Sequence, residues 1–375
     1  MRFGLISEAD TTKGLTHYHR YHEVVREAQL AEGVGFDFWG TSEQHFFRST
    51  APISAPETLY AYVAAKTSRI KIRHMSVLMI DFNHPIRVAE RLATLDILSH
   101  GRVEFGTARS NNTQTLDGFG VEAGDTREQW RENIEITLRA LTEDPFQFEG
   151  KHYKIPPRTI SPIMYRDKLF PVSVNAATPS TFTMAGEMGL GVLGNDSWLG
   201  WEFLKDAAQR YLTAIRNPRP IANYEPNRAL GFGVFNTSCA RSRQEAIDQV
   251  RHVAEGWIKG SIATYTEIAS RSKDYAAAGR IKEMEKYQDD LPYLMSTTPN
   301  LMIGTPDDIA AQVERLQALG FDEIAFRIDG MGHRQNLKTI ELIGKYVIPA
   351  FKVPSSVIKN IEYEEQDVEV PKFLI

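Results

Sequence analysis

The chain has 375 residues, 42% of them hydrophobic, with 43 Lys and Arg against 48 Asp and Glu for a formal net charge of −5. That length permits a large core, as two or three small domains or as one large α/β barrel. Both signs of charge are interspersed, so no basic field marks a nucleic-acid partner. The one cysteine, Cys239, excludes an intramolecular disulfide and a cysteine-built zinc site; within FNTSCA it reads as a buried thiol at a strand end. No apolar run reaches the roughly 18 residues of a membrane span, and MRFGLIS reads as a short strand, so a soluble, cytoplasmic protein is expected.

In chain order, short apolar strands alternate with helical patterns, as in a parallel sheet built from βα units. MRFGLIS opens the series. Over residues 19–34, Tyr21, Val24, Ala28 and Ala31 fall on one helical face, and Gly33 with Gly35 ends the helix. Strands are predicted at 36–43, 70–80 and 103–109, with helices near 56–66 and 85–98. A helix is predicted over 126–141, and 145–168 then reads as a long, proline-bearing loop. Further strands fall at 171–177, 191–195 and 229–238. The charged, Ala-rich stretch 259–300 reads as a helical insertion able to cover a site. Thr305, Pro306, Asp307 and Asp308 form a helix start, and 321–328 is the eighth strand, before a last helix. Eight βα units in about 250 residues plus insertions fit one (β/α)8 TIM barrel over 1–351, with 352–375 an acidic tail.

The segment NHPIRVAERLATLDILSHGRVEFGTARS (83–110) resembles the signature stretch of the bacterial luciferase-like monooxygenases. SEQHF (42–46) is similar to that family's Glu-His-His-Phe, PVSVNAATPST (171–181) to its phosphate loop, and GTPDDIAAQVERLQALGFDEI (304–324) to its penultimate helix and last strand. The resemblance implies a two-component enzyme in which reduced FMN, supplied by a flavin reductase, reacts with O2 at the carboxyl end of the barrel. The same fold hosts deazaflavin-dependent hydride-transfer enzymes and flavin-binding proteins without turnover, and both remain open. A homodimer is expected.

Candidate site residues sit at strand ends. The resemblance places Arg109 on the flavin phosphate, where a guanidinium fork suits bidentate binding. Thr178 and Thr181 begin a helix whose unpaired amides attract an anion. Ala177 stands where the luciferases carry a glutamate. The family's catalytic histidine corresponds to Gln44, which hydrogen-bonds but cannot shuttle protons, leaving His45 for that role with Glu43 as its partner. Ser76 and Val77 align with a non-prolyl cis peptide under the flavin ring. Asn175, Ala176 and Asn195 are small or amide residues beside which a flat ring can lie. His17, His19 and His22 cluster without a further ligand in register, so no metal is expected; the loop 8–18 fits a substrate lid better. His84 before Pro85 reads as a helix start. No Gly-x-Gly-x-x-Gly follows the first strand, which argues against a tightly held dinucleotide.

Overall fold

The computed structural model describes residues 1–11, 14–195 and 198–352, so the expected acidic tail lies outside the described residues from position 353 onward. In chain order the elements are β1 (Arg2–Ile6), α1 (His17–Gly33), β2 (Phe38–Ser42), α2 (Pro56–Lys66), β3 (Lys71–Leu78), α3 (Pro85–Leu98), β4 (Val103–Ala108), α4 (Thr113–Phe119) and α5 (Thr126–Thr142). Next come β5 (Phe146–Glu149), β6 (Lys154–Arg158), β7 (Val172–Ala176), α6 (Pro179–Met188), β8 (Gly191–Gly194), α7 (Trp201–Ala214), β9 (Leu230–Val234) and β10 (Asn236–Cys239). The last are α8 (Arg243–Arg271), a 3-10 stretch (Lys273–Tyr287), α9 (Leu291–Thr297), β11 (Leu301–Gly304), α10 (Pro306–Ala318), β12 (Glu323–Arg327), α11 (His333–Leu342), a π turn (Ile343–Val347) and α12 (Ile348–Lys352).

Eight of these strands close a parallel barrel in the order β1, β12, β9, β8, β7, β4, β3, β2. They are the eight predicted from the sequence. Because helices cover the outer face and side chains fill the inner one, the strands are buried on both sides, as the unbroken burial of β9 and β12 shows. Inward-facing residues follow the two-residue period of a strand. Along β12, Glu323 joins the floor, Ala325 packs with Ile6, Phe38, Met75 and Leu193, and Arg327 reaches the mouth. In the floor, buried Arg73 pairs with Glu104 at 2.7 Å and Glu323 at 2.7 Å, lies 3.8 Å from the centroid of the Phe38 ring, and Arg2 bonds both carboxylates from outside. This network and the apolar layer above it confine the open space to the carboxyl end.

Several elements differ from expectation. The stretch 145–168 holds the antiparallel pair β5 and β6, which the prolines at 156 and 157 disguise as loop. The single strand expected at 229–238 is two: the chain pivots at Phe235, whose backbone N–H, like that of Asn236, donates to Asn300 O, and β10 leaves the barrel to pair with β11. Helix α4 was not predicted. The insertion begins earlier than 259, because α8 runs unbroken for 29 residues. Thr305 and Asp308 make the reciprocal capping box, His84 caps α3, and Cys239 is buried with its thiol pKa raised by desolvation.

Candidate active site

A cavity of about 760 Å³ opens at the carboxyl end of the barrel. Its walls come from the strand ends, from α8 through His252 and Trp257, and from the 3-10 stretch through Asp274, Tyr275 and Ala278. The insertion therefore does wall the site. Of the sequence-derived candidates, Gln44, Ser76, Arg109, Asn175, Ala177, Thr178, Thr181 and Asn195 line this one space.

Arg109 follows the last residue of β4. Burial lowers its pKa, and its guanidinium lies 4.0 Å from the centroid of the Tyr275 ring, donating to Thr126 Oγ1 and to the Asp274 carbonyl at 3.3 Å each. Arg127, which the sequence reading missed, joins it: Asp274 Oδ2 lies 3.2 Å from Arg127 Nε and 3.9 Å from Arg109 Nη1. After β7, Thr178 is the N-cap of α6, yet its hydroxyl makes no capping bond to a helix amide. It lies instead 3.0 Å from Ser180 Oγ and 3.1 Å from Thr181 Oγ1, a hydroxyl group beside the positive end of a helix. Asn175 Oδ1 is buried there without a hydrogen-bond partner among the described residues. A cationic pair and a cluster of hydroxyls at a helix start suit an anionic group, and the orphaned Asn175 oxygen suits a hydrogen-bond donor on the same ligand.

Four candidates lie off the cavity. Glu43 is buried in a junction, where its carboxylate accepts from Leu78 N at 2.9 Å and from Asn83 Nδ2 at 2.8 and 2.9 Å, tying the end of β2 to the end of β3. His45 Nε2 lies 3.1 Å from Glu43 Oε1, and its ring packs edge-on against Phe82 and Phe119, turned away from the open space. Its neighbour Gln44 faces the cavity instead. Val77 and Ala176 pack in the core. The cis peptide expected at Ser76–Val77 is corrected by the structure: among the described residues the cis bonds are Asp144–Pro145 and Ser161–Pro162. The irregularity of β3 is instead a bulge, with register shifts against both β2 and β4. Gly106 of β4 accommodates it, since a Cβ there would stand 2.2 Å from His74 O and 2.6 Å from Met75 O.

A second group of polar residues escaped the sequence reading. Ile6, Glu8 and Asp10 continue the alternation of β1 onto the cavity wall, and Arg327 ends β12 beside them, in register with Ile6. Arg327 Nη2 donates to Asp10 Oδ2 at 2.9 Å, and the guanidinium lies 3.9 Å from the centroid of the Trp257 ring. Burial pushes the Asp10 carboxyl up to about 7 against the pull of Arg327, with Asp329 and Glu8 adding to the rise. Burial likewise raises Glu8. The signal was present in SEAD directly after the first strand and FRID at the last, both strand ends of a barrel. His17, His19 and His22 form no metal site, and no such cluster exists among the described residues. No helix among them is long and apolar enough to cross a membrane.

The profile of the luciferase-like monooxygenases matches residues 1–323, so the chain belongs to the luciferase-like monooxygenase family, whose members are oxidoreductases. The oxygenase component of the flavin-dependent trigonelline monooxygenase of Acinetobacter baylyi is 24% identical over 94% of this chain and 96% of its own. Among solved structures, the oxygenating constituent of 3,6-diketocamphane monooxygenase from Pseudomonas putida, in complex with FMN, has a TM-score of 0.71 at 21% identity, covering 93% of this chain and 98% of that one. The coenzyme F420 dependent tetrahydromethanopterin reductase of Methanopyrus kandleri has a TM-score of 0.69 at 20% identity, covering 93% and 99%. Both share the barrel fold.

Proposed function

We propose that the protein is the oxygenase component of a two-component flavin monooxygenase, using reduced FMN from a separate flavin reductase and O2 to oxygenate a small organic substrate. The observation that carries this reading is that Arg109, Thr178 and Thr181, from strands far apart in sequence, share one hollow at the barrel mouth. Arg109, with Arg127 beside it, supplies charge for a phosphate, and the hydroxyls of Thr178, Ser180 and Thr181 at the positive end of α6 supply donors. Ser76, Asn175, Ala177 and Asn195 border the space for the ring, and Val77 and Ala176 support that border from the core. Bound reduced FMN would supply the electrons that activate O2. Gln44 orients substrate or ring by hydrogen bonds. Glu43 and His45, held together behind the wall, fix the loop that carries Gln44. Helix α8 and the 3-10 stretch exclude water, which limits loss of reducing equivalents as hydrogen peroxide.

Anaerobic titration with reduced FMN and with a reduced deazaflavin, followed by reductase-coupled turnover under 18O2 across a substrate panel, tests the proposal. Reduced FMN is expected to bind more tightly, and one labelled oxygen atom to enter product. Preference for the deazaflavin would overturn the reading in favour of hydride transfer, and binding of reduced FMN without substrate-dependent oxygen uptake would favour a carrier.

A further inference from the structure

Around the barrel, β1 stands four strands from β7, and β12 four strands from β4. In a closed ring of eight these are diametric positions. Glu8, Asp10 and Arg327 therefore face Thr178, Thr181 and Arg109 across the mouth.

We propose that this acidic rim is the substrate subsite and that it takes a cationic nitrogen, a protonated amine or an N-alkylated ring, carried on an apolar body. The proposal rests on the reading that a flavin phosphate occupies the opposite rim. Charge counting carries it. The carboxyls of Glu8, Asp10, Glu23, Glu27 and Asp329 lie together with two guanidiniums. Arg20 is taken up by Glu27, at 2.8 and 2.9 Å, by Asp329 at 2.8 Å and by Glu23 at 3.3 Å. Arg327 is taken up by Asp10, and its face is covered by Trp257. His333 Nδ1, 2.9 Å from Glu27, adds one positive charge at most. At least one carboxyl is left without a cation of its own among the described residues, and burial favours its proton until a cation arrives.

That surplus falls on the cavity side. Glu8 makes no ion pair in that set; its Oε1 accepts from Ser42 N at 3.3 Å, and its Oε2 and Asp10 Oδ1 are buried without a partner. Glu8 is 7% exposed and Asp10 8%. A buried carboxylate without a partner is unfavourable, and a ligand bringing a positive N–H or N-alkyl group relieves it. An anionic substrate would meet Glu8 and find Arg327 already bonded to Asp10 through Nη2 and to the Phe235 carbonyl through Nη1, with Asp329 Oδ2 3.8 Å from its Nε. Between the two rims, Met75, Leu193, Val234 and Phe235 offer an apolar wall for the rest of the molecule.

Three probes on one skeleton test this with the full-length protein, with and without saturating FMN: 2-phenylethylamine, 2-phenylethanol and phenylacetate, by calorimetry near neutral pH. The ammonium is expected to bind at least about ten-fold more tightly than the alcohol, with phenylacetate weakest. Glu8→Gln with Asp10→Asn should bring the three within about three-fold while FMN affinity stays within about two-fold. Equal binding of amine and alcohol by the unaltered protein, stronger binding of phenylacetate, or an amine preference surviving both substitutions overturns the proposal. If the double variant does not fold, Glu8→Gln alone, which leaves the Asp10–Arg327 pair in place, must reduce the preference at least about three-fold, and no reduction overturns it equally. Failure to bind reduced FMN under anaerobic conditions would reject the flavin reading separately, because the amine ranking is measured without FMN as well.

Discussion

The two rims of the barrel mouth are built in opposite ways. The rim at β4 and β7 presents two guanidiniums and a helix start, with one carboxylate, Asp274, spread between the guanidiniums. The rim at β1 and β12 gathers five carboxyls around two guanidiniums, Arg20 held by Glu23, Glu27 and Asp329 and Arg327 by Asp10. Cation excess on one side and anion excess on the other, inside one 760 Å³ space, gives a bound molecule a preferred direction. Both rims also contain a non-glycine residue in left-handed backbone, Ser110 at φ 65° and Ala9 at φ 59°, a conformation that costs about 1–3 kcal/mol and is held by its surroundings.

Removing charge from the first rim should have the largest effect. Arg109→Ala is expected to weaken reduced FMN about 10- to 100-fold, the worth of charge-assisted hydrogen bonds of about 1.5–3 kcal/mol, in an anaerobic titration. An unchanged affinity would leave the cationic rim without a ligand role. Away from both rims, His74 supplies the control. Its ring is buried against Tyr60, neither nitrogen has a partner among the described residues, and burial, with Arg91 adding, pushes its pKa down to about 3 from 6.5. With the folded value below the unfolded one, its contribution to stability is complete above pH 6.5 and is lost as pH falls toward about 3. His74→Phe should therefore flatten the acid limb of the stability profile by about 1.4 kcal/mol per pH unit, read from denaturant midpoints, without altering FMN binding near neutral pH. The smallest effect is expected between neighbours. Gln44→Ala should lower coupling of oxygen uptake to product about three- to ten-fold, the range for one hydrogen bond, whereas His45→Phe should change it less than about two-fold. The reverse order would restore His45 as the reactive group.

How far the sequence revealed these features depends on the range of the interaction that fixes each. Eight strands were visible because each carries its own apolar run, and Arg109, Thr178 and Thr181 because they stand in contiguous motifs. The pivot at Phe235 was not visible, since it is set by Asn300, far along the chain. The facing of Gln44 and His45 was equally hidden, because the junction of Glu43 with Leu78 and Asn83 decides which neighbour turns inward. The acidic rim lay in plain view as SEAD and FRID, but its meaning required β1 and β12 to be adjacent, which is a property of ring closure.

The ion network of Arg73, Glu104 and Glu323 across the barrel floor makes the molecule a cup rather than a tube. Solvent and ligands then meet the interior from one end, and the sealed base, remote from either rim, keeps that interior from opening at its far side.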